Sequence, residues 1–188
     1  SFRLPQAVLD EEIGAIINMG VDLRLGTPVK SLKGLLDGGG YDAIFVGSGA
    51  PKGKELKLPG REEAAANVHI GISWLESVAF DHIKQIGGNV LIIGVGNTAM
   101  DCCRTSLRLG AKSVKVMARK PRSFFKASEW ELEDAEEENV SIVINRSPKS
   151  FVTEGGKLKG MMFDIMEYDV DANGRITAER VAGEEFLP

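Results

Sequence analysis

The chain has 188 residues and carries 23 Lys and Arg against 27 Asp and Glu, a formal net charge of -4. Apolar residues make up 43%, enough for one large core or two small ones. The acidic balance argues against nucleic-acid binding, and no run of eighteen apolar residues is present to span a membrane as a helix.

The apolar spacing Val8, Leu9, Ile13, Ile16, Ile17 predicts a helix over 6–19, stopped at Gly20. Residues 21–25 alternate and predict a short strand, after which Thr27-Pro28 begins a loop. A helical turn is expected over 31–36, broken by Gly38-Gly39-Gly40. The run Tyr41-Asp42-Ala43-Ile44-Phe45-Val46 predicts a buried strand that ends in the small-residue corner Gly47-Ser48-Gly49-Ala50. Residues 51–60 are polar and turn-rich and read as a link. His69 and Ile70 begin an approach to a helix over 73–86, closed by Gly87-Gly88. A strand then leads into a helix from about 97 to 109, with Gly110 as its stop, and a second apolar strand follows over 113–118. A charged helix is expected over 129–138 and a strand over 140–144. The remainder alternates between apolar patches and turns at Gly155-Gly156 and Asn173-Gly174, the pattern of antiparallel hairpins.

The strongest signal is Val90-Leu91-Ile92-Ile93-Gly94-Val95-Gly96-Asn97-Thr98-Ala99: a buried strand, a glycine turn and a helix start. This is the layout of a dinucleotide fingerprint, G-x-G-x-x-A. Gly94 lets the strand turn tightly. Gly96 leaves room for a pyrophosphate against the backbone, and Ala99 lets the helix approach the sheet. The N–H groups at the helix start, with the helix dipole, would hold the phosphates. Asn97 is placed to cap that helix. A glycine turn that binds nothing is the plain alternative, but the strand–turn–helix–strand context makes a β-α-β unit of the right length.

The end of the second strand selects the cofactor. A site for NAD(H) places Asp or Glu there to bond the ribose hydroxyls. The chain instead reads Met117-Ala118-Arg119-Lys120-Pro121-Arg122, three cations within four residues and no acid. Arg119 can grip a 2′-phosphate in bidentate fashion or stack on adenine, and Lys120 or Arg122 adds charge. The expected cofactor is therefore NADP(H). A solvated basic loop is the alternative.

Other residues carry less. Cys102 and Cys103 are adjacent within a helix, point in different directions and form neither a disulfide nor a C-x-x-C pair; they read as small buried residues. Two cysteines in all fit a reducing, cytoplasmic location, and no signal peptide opens the chain. The Glu-rich run over 129–138 reads as a water-facing helix whose like charges repel mildly. Lys126 stands just before it, able to reach phosphate or offset the acids. His69 and His82 read as structural or exposed, and Trp74 and Trp130 as packing residues. No nucleophile–base set or paired carboxylates stand out, which suits hydride transfer, where cofactors supply the chemistry.

Together these residues resemble the flavin-dependent NADPH oxidoreductases that include the small subunit of bacterial glutamate synthase and the flavin–nicotinamide portion of dihydropyrimidine dehydrogenase. The resemblance covers essentially the whole chain. It is carried by Gly94-Val95-Gly96-Asn97-Thr98-Ala99-Met100-Asp101, Arg104-Thr105, Leu107-Arg108-Leu109-Gly110-Ala111, Arg119-Lys120, Phe2-Arg3-Leu4-Pro5, the run from Tyr41 to Ala50, and Pro59-Gly60. It implies an α/β fold: a Rossmann-like FAD/NAD(P)-binding three-layer domain of parallel sheet, helices and small antiparallel sheet, with part of a second, FAD-type domain. Residues 1–58 would be the remnant of the FAD-binding domain and linker, 61–182 an inserted NADP(H)-binding domain, and 183–188 a return segment.

By the same resemblance Gly94, Gly96, Asn97, Thr98 and Ala99 surround the pyrophosphate. Arg119 and Lys120, helped by Arg122, hold the 2′-phosphate. Gly49 lies near the crossover between domains, and Val29, with Thr27-Pro28, near the FAD adenine. Hydride would pass between NADPH and FAD, and electrons to or from an iron–sulfur domain or partner subunit. The family's earlier glycine fingerprint for FAD, its late flavin-closing segment and its iron–sulfur cysteines are absent from this sequence, and Phe125-Lys126-Ala127 stands where the family shows Met-Pro-Ala. Both ends therefore read as cuts in a longer protein, and this fragment is expected to bind NADP(H) without holding FAD stably. The competing reading is a nucleotide-binding regulatory or interaction domain without electron transfer. A dehydrogenase with its own catalytic domain finds neither room nor an acid–base residue.

Overall fold

The structure is a computed structural model that describes residues 2–38 and 40–188. It divides into two compact units, Ser1–Gly49 and Ala50–Pro188.

The first unit holds helix α1, Gln6–Asn18, and helix α2, Leu32–Gly38. The apolar spacing produced α1 as expected, and the chain leaves it through Gly20, whose N–H donates to the Ile17 carbonyl. The two strands expected in this unit are not formed. Residues 21–25 and 41–46 belong to no sheet, and Phe45 is 95% exposed. The reason is hydrogen bonding: an apolar run becomes a strand only when a neighbour supplies carbonyls and N–H groups, and among the described residues this unit has no strand to do so. Ser1, and Gly39 within the expected glycine break, lie outside the described residues.

The second unit has three layers. Its centre is a parallel sheet of strands β1 (Asn89–Ile93), β2 (Ser113–Met117) and β3 (Ser141–Val143), in that spatial order. Helix α3 (Gly71–Ala79) precedes β1, helix α4 (Asn97–Arg108) joins β1 to β2, and helix α5 (Glu129–Glu137) joins β2 to β3. Antiparallel strands β4 (Arg146–Glu154), β5 (Lys157–Val170) and β6 (Ile176–Leu187) form the third layer. Both predicted hairpin turns fall between these strands.

Strand alternation builds the layers. Val90, Ile92, Val114, Val116 and Ile142 pack with Met100, Cys103, Leu132 and Ala135 on the helical side. Their neighbours Leu91, Met117 and Val143 pack with Phe151, Met161, Phe163 and Leu187 on the antiparallel side. Strands covered on both faces must be apolar at nearly every position, which is why Val90–Ile93 reads as a continuous run.

Several expectations need correction. Residues 51–60 are more than a link: Leu56 and Leu58 pack on the second cluster, and the Pro59 carbonyl accepts from the Phe151 N–H at 2.9 Å. Helix α3 ends at Ala79 rather than near 86, and Asp81 follows with φ of 59°. Trp74 is buried, but Trp130 is 57% exposed and packs into no core. Strand β6 runs from Ile176 through residue 183 to Leu187, which bears on the extent of the sheet and leaves the domain bounds as expectations.

Candidate functional site

The glycine turn is shaped by backbone demands. Gly94 has φ of 113°, a region side chains rarely adopt, and its N–H donates to the Met117 carbonyl at 3.0 Å. The turn is therefore tied to the end of β2. Gly96 is different: its φ is -106°, open to any residue, and a Cβ there would meet no protein atom within 4 Å. Nothing in the fold requires glycine at this position. A bare backbone that internal packing does not need suits the close approach of a phosphate.

Gly96 is also the N-cap of α4, and its carbonyl accepts from the Ala99 and Met100 N–H groups at 2.8 and 3.2 Å. Asn97 was expected to cap this helix and does not. It is the first helical residue, and its Oδ1 accepts from the Ser128 N–H at 3.3 Å. The Lys126 and Ala127 N–H groups both donate to the Val95 carbonyl, at 3.2 and 3.0 Å. The loop before α5 is thus laced to the glycine turn, with Phe125 and Ala127 packed against the helical core. Thr98 is exposed, and Ala99 is partly buried against the core. A cleft of about 790 Å³ borders Gly94, Gly96, Thr98 and Ala99, with His69 and Trp74 among its other walls. Arg119, Lys120 and Arg122 do not line it.

The parallel register places the basic loop beside the turn. Ile93 is opposite Met117, so Gly94 and Ala118 leave the same edge of the sheet. Arg119 and Lys120 are exposed there. Arg119 Nη2 donates to Glu179 at 3.1 Å, and the Tyr168 hydroxyl donates to the Arg119 carbonyl at 2.6 Å. The Lys120 ammonium lies 5.5 Å from the centre of the Phe124 ring. Arg122 faces α5. It donates to Glu136 at 2.6 Å and to Glu129 at 2.8 Å, and these hydrogen bonds raise its pKa above the usual arginine value. Gly49, with φ of 69°, and the exposed Val29 belong to the first unit.

The acidic helix is not simply water-facing. Glu131 is buried, and Arg104 from α4 reaches Asp134 and Glu138 at 2.8 Å and Glu131 at 3.8 Å. The Arg108 hydrogen bond, then Arg104, hold the Glu138 carboxyl down at about 2. The basic partners missing from α5 itself come from α4 and the loop. Burial pushes the Cys102 thiol up to about 12 and Cys103 to about 11, and both are free. His69 and His82 are exposed. Among the described residues no group of three or more His, Cys, Asp or Glu is placed to hold a metal, and no helix is long and apolar enough to cross a membrane.

Sequence reasoning missed Tyr168, Glu179 and the lacing through Val95. The first two reach the loop from 49 and 60 residues away, through a strand register that no local pattern announces.

Comparison with known proteins agrees with this fold. Residues 36–178 match the family model described as pyridine nucleotide-disulphide oxidoreductase. The chain is 34% identical over 191 residues to the NADP(+)-dependent formate dehydrogenase subunit beta of Moorella thermoacetica, covering 100% of this chain and 27% of that one. It is 32% identical to the NADPH-Fe(3+) oxidoreductase subunit beta of Geobacter sulfurreducens, with 99% and 28% covered. To the NADPH glutamate synthase small chain of Escherichia coli it is 32% identical over 203 residues, with 100% and 42% covered. The chain thus spans less than half the length of these curated relatives. Among solved structures, the FprA oxidoreductase of Mycobacterium tuberculosis shares the fold, with a TM-score of 0.59 at 18% identity over 79% of this chain and 48% of that one. A parallel sheet opening into a glycine turn, a helical layer and a small antiparallel layer, with a family match over most of the sequence, leave one assignment: the chain belongs to the pyridine nucleotide-disulphide oxidoreductase family, in the group resembling glutamate synthase small subunits.

Proposed function

We propose that the second unit is the NADP(H)-binding part of a cytoplasmic, flavin-dependent oxidoreductase. In this reading hydride passes between NADPH and FAD, and electrons go to or from iron–sulfur clusters or a partner subunit. The observation that carries it is the juxtaposition of the Gly94–Ala99 turn with Arg119 and Lys120 at one edge of the parallel sheet. The names of the relatives support the cofactor, and their different reactions support a shared electron-entry portion whose final acceptor acts elsewhere.

The nicotinamide and flavin, when bound, supply the redox chemistry. The residues of this chain bind and orient. Gly96 admits the pyrophosphate to the backbone, and Asn97, Thr98 and Ala99 surround it at the positive end of α4. Gly94 sets the direction of the turn. Arg119 and Lys120 meet the 2′-phosphate. Arg122, which also pairs with Glu129 and Glu136, adds charge beside them. Gly49 and Val29 are assigned to the FAD side through the family resemblance. The remaining FAD-binding segments would come from the same polypeptide.

Calorimetric titration with NADPH and NADH tests the reading. Tighter binding of NADPH supports it. Equal binding overturns the phosphate role of the basic loop, and no binding of either by the intact protein overturns the site.

A further inference from the structure

The loop that carries Arg119 is held from outside its own sheet. Tyr168 on β5 and Glu179 on β6 are directly opposite each other in the antiparallel ladder. Opposed residues of such a ladder project from the same face. Both reach Arg119, but by different groups. The Tyr168 hydroxyl donates to the Arg119 main-chain oxygen at 2.6 Å, while the Glu179 carboxylate accepts from Arg119 Nη2 at 3.1 Å.

We propose that this cross-strand pair sets the discrimination between NADPH and NADH: Tyr168 positions the 2′-phosphate-binding cations, and Glu179 occupies Arg119 as a stand-in anion that the phosphate displaces. The inference rests on the reading that Arg119 and Lys120 meet the 2′-phosphate.

The backbone explains the role of Tyr168. Ala118 is fixed just past the end of β2, its N–H donating to the Val143 carbonyl of β3 and its carbonyl accepting from the Arg146 N–H at the start of β4, at 2.8 and 2.9 Å. Arg119 is the first residue beyond that anchorage. A peptide unit is planar, so holding the Arg119 carbonyl also orients the Lys120 N–H and the start of the Lys120 side chain. One hydroxyl therefore orders both cations before ligand arrives, and a preordered site loses less entropy on binding.

Charge explains the role of Glu179. Its contact uses Nη2, and a guanidinium has five N–H donors. Arg119 and Glu179 are both about half exposed, a setting in which an ion pair is weak and exchanges readily. A phosphate monoester carries more charge than a carboxylate and accepts two parallel hydrogen bonds from arginine. NADPH can take Arg119 from Glu179. NADH offers only a hydroxyl there and leaves the pair closed.

The test uses the intact protein and its Tyr168→Phe and Glu179→Gln variants, with dissociation constants for NADPH and NADH. Tyr168→Phe is expected to weaken NADPH about five-fold and leave NADH unchanged. Glu179→Gln is expected to tighten NADPH about three-fold, again with NADH unchanged. The opposite signs separate positioning from general loss of structure. Equal shifts for both cofactors, no shift in either variant, or weaker NADPH binding by Glu179→Gln would overturn the proposal. If the unaltered protein binds NADPH and NADH equally, the underlying phosphate reading fails and the inference falls with it. If the unaltered protein discriminates and the variants do not change that, the inference alone fails.

Discussion

At the scale of single residues, the two glycines of the turn look alike in sequence and do different work. Gly94 is needed for its positive φ, so Gly94→Ala should cost stability, at least about 1–2 kcal/mol by chemical unfolding. Gly96 has an ordinary φ and open space beside it. Gly96→Val should therefore unfold within about 1 kcal/mol of the parent while losing NADPH and NADH together in a binding titration. Arg119 should behave differently from both. Arg119→Ala is expected to weaken NADPH by about 1–3 kcal/mol, the range of a charge-assisted hydrogen bond, and to spare NADH. Equal losses for both cofactors would move Arg119 to the adenine or pyrophosphate.

At the scale of elements, magnitude separates two ion-pair groups on α5. Arg122 with Glu129 and Glu136 is largely exposed, with side chains 41–64% accessible. Such pairs contribute about 0–1 kcal/mol, and Arg122→Gln should barely change the unfolding midpoint. Arg104 is 11% exposed and faces Glu131, which is 5% exposed. Removing Arg104 takes a shared cation from Glu131, Asp134 and Glu138, the first of them buried, and Arg104→Ala should cost about 3–5 kcal/mol. Glu138 adds a pH dependence. Its pKa is depressed in the folded chain, from an ordinary 4.5 to about 2. Its contribution is therefore full above 4.5 and is lost as pH falls from about 4.5 to about 2. Urea unfolding across that window should show the loss, and Arg108→Gln, which removes the largest cause, should reduce it.

At the scale of the whole molecule, the two units differ in how much they bury. No described residue of the first unit is buried, whereas the second has two apolar clusters on the faces of its parallel sheet. A helix without a covered face depends on propensity alone and is marginal at the 13-residue length of α1. Hydrogen exchange on the 188-residue chain should find α1 amides exchanging fast and β2 amides protected. Comparable protection in both would mean that α1 is covered by something beyond its own unit.

The β-α-β core, the glycine turn, the basic loop and the hairpins were all readable from residue order. Each rests on local physics: period-two alternation, a 3.6-residue stripe, or a glycine where the backbone must turn. The same local rules failed for residues 21–25 and 41–46, because strand formation depends on a partner that a run of apolar residues does not carry with it. They failed also for Asn97, where a long-range contact to Ser128 replaced the cap, and for α5, whose partners lie on α4 and the loop. The residues around Arg119 make the distinction clearest. Cations at the end of β2 are a statement of sequence. That Tyr168 holds the Arg119 backbone while Glu179 takes its guanidinium depends on the register of β5 against β6, which exists only once the chain has folded.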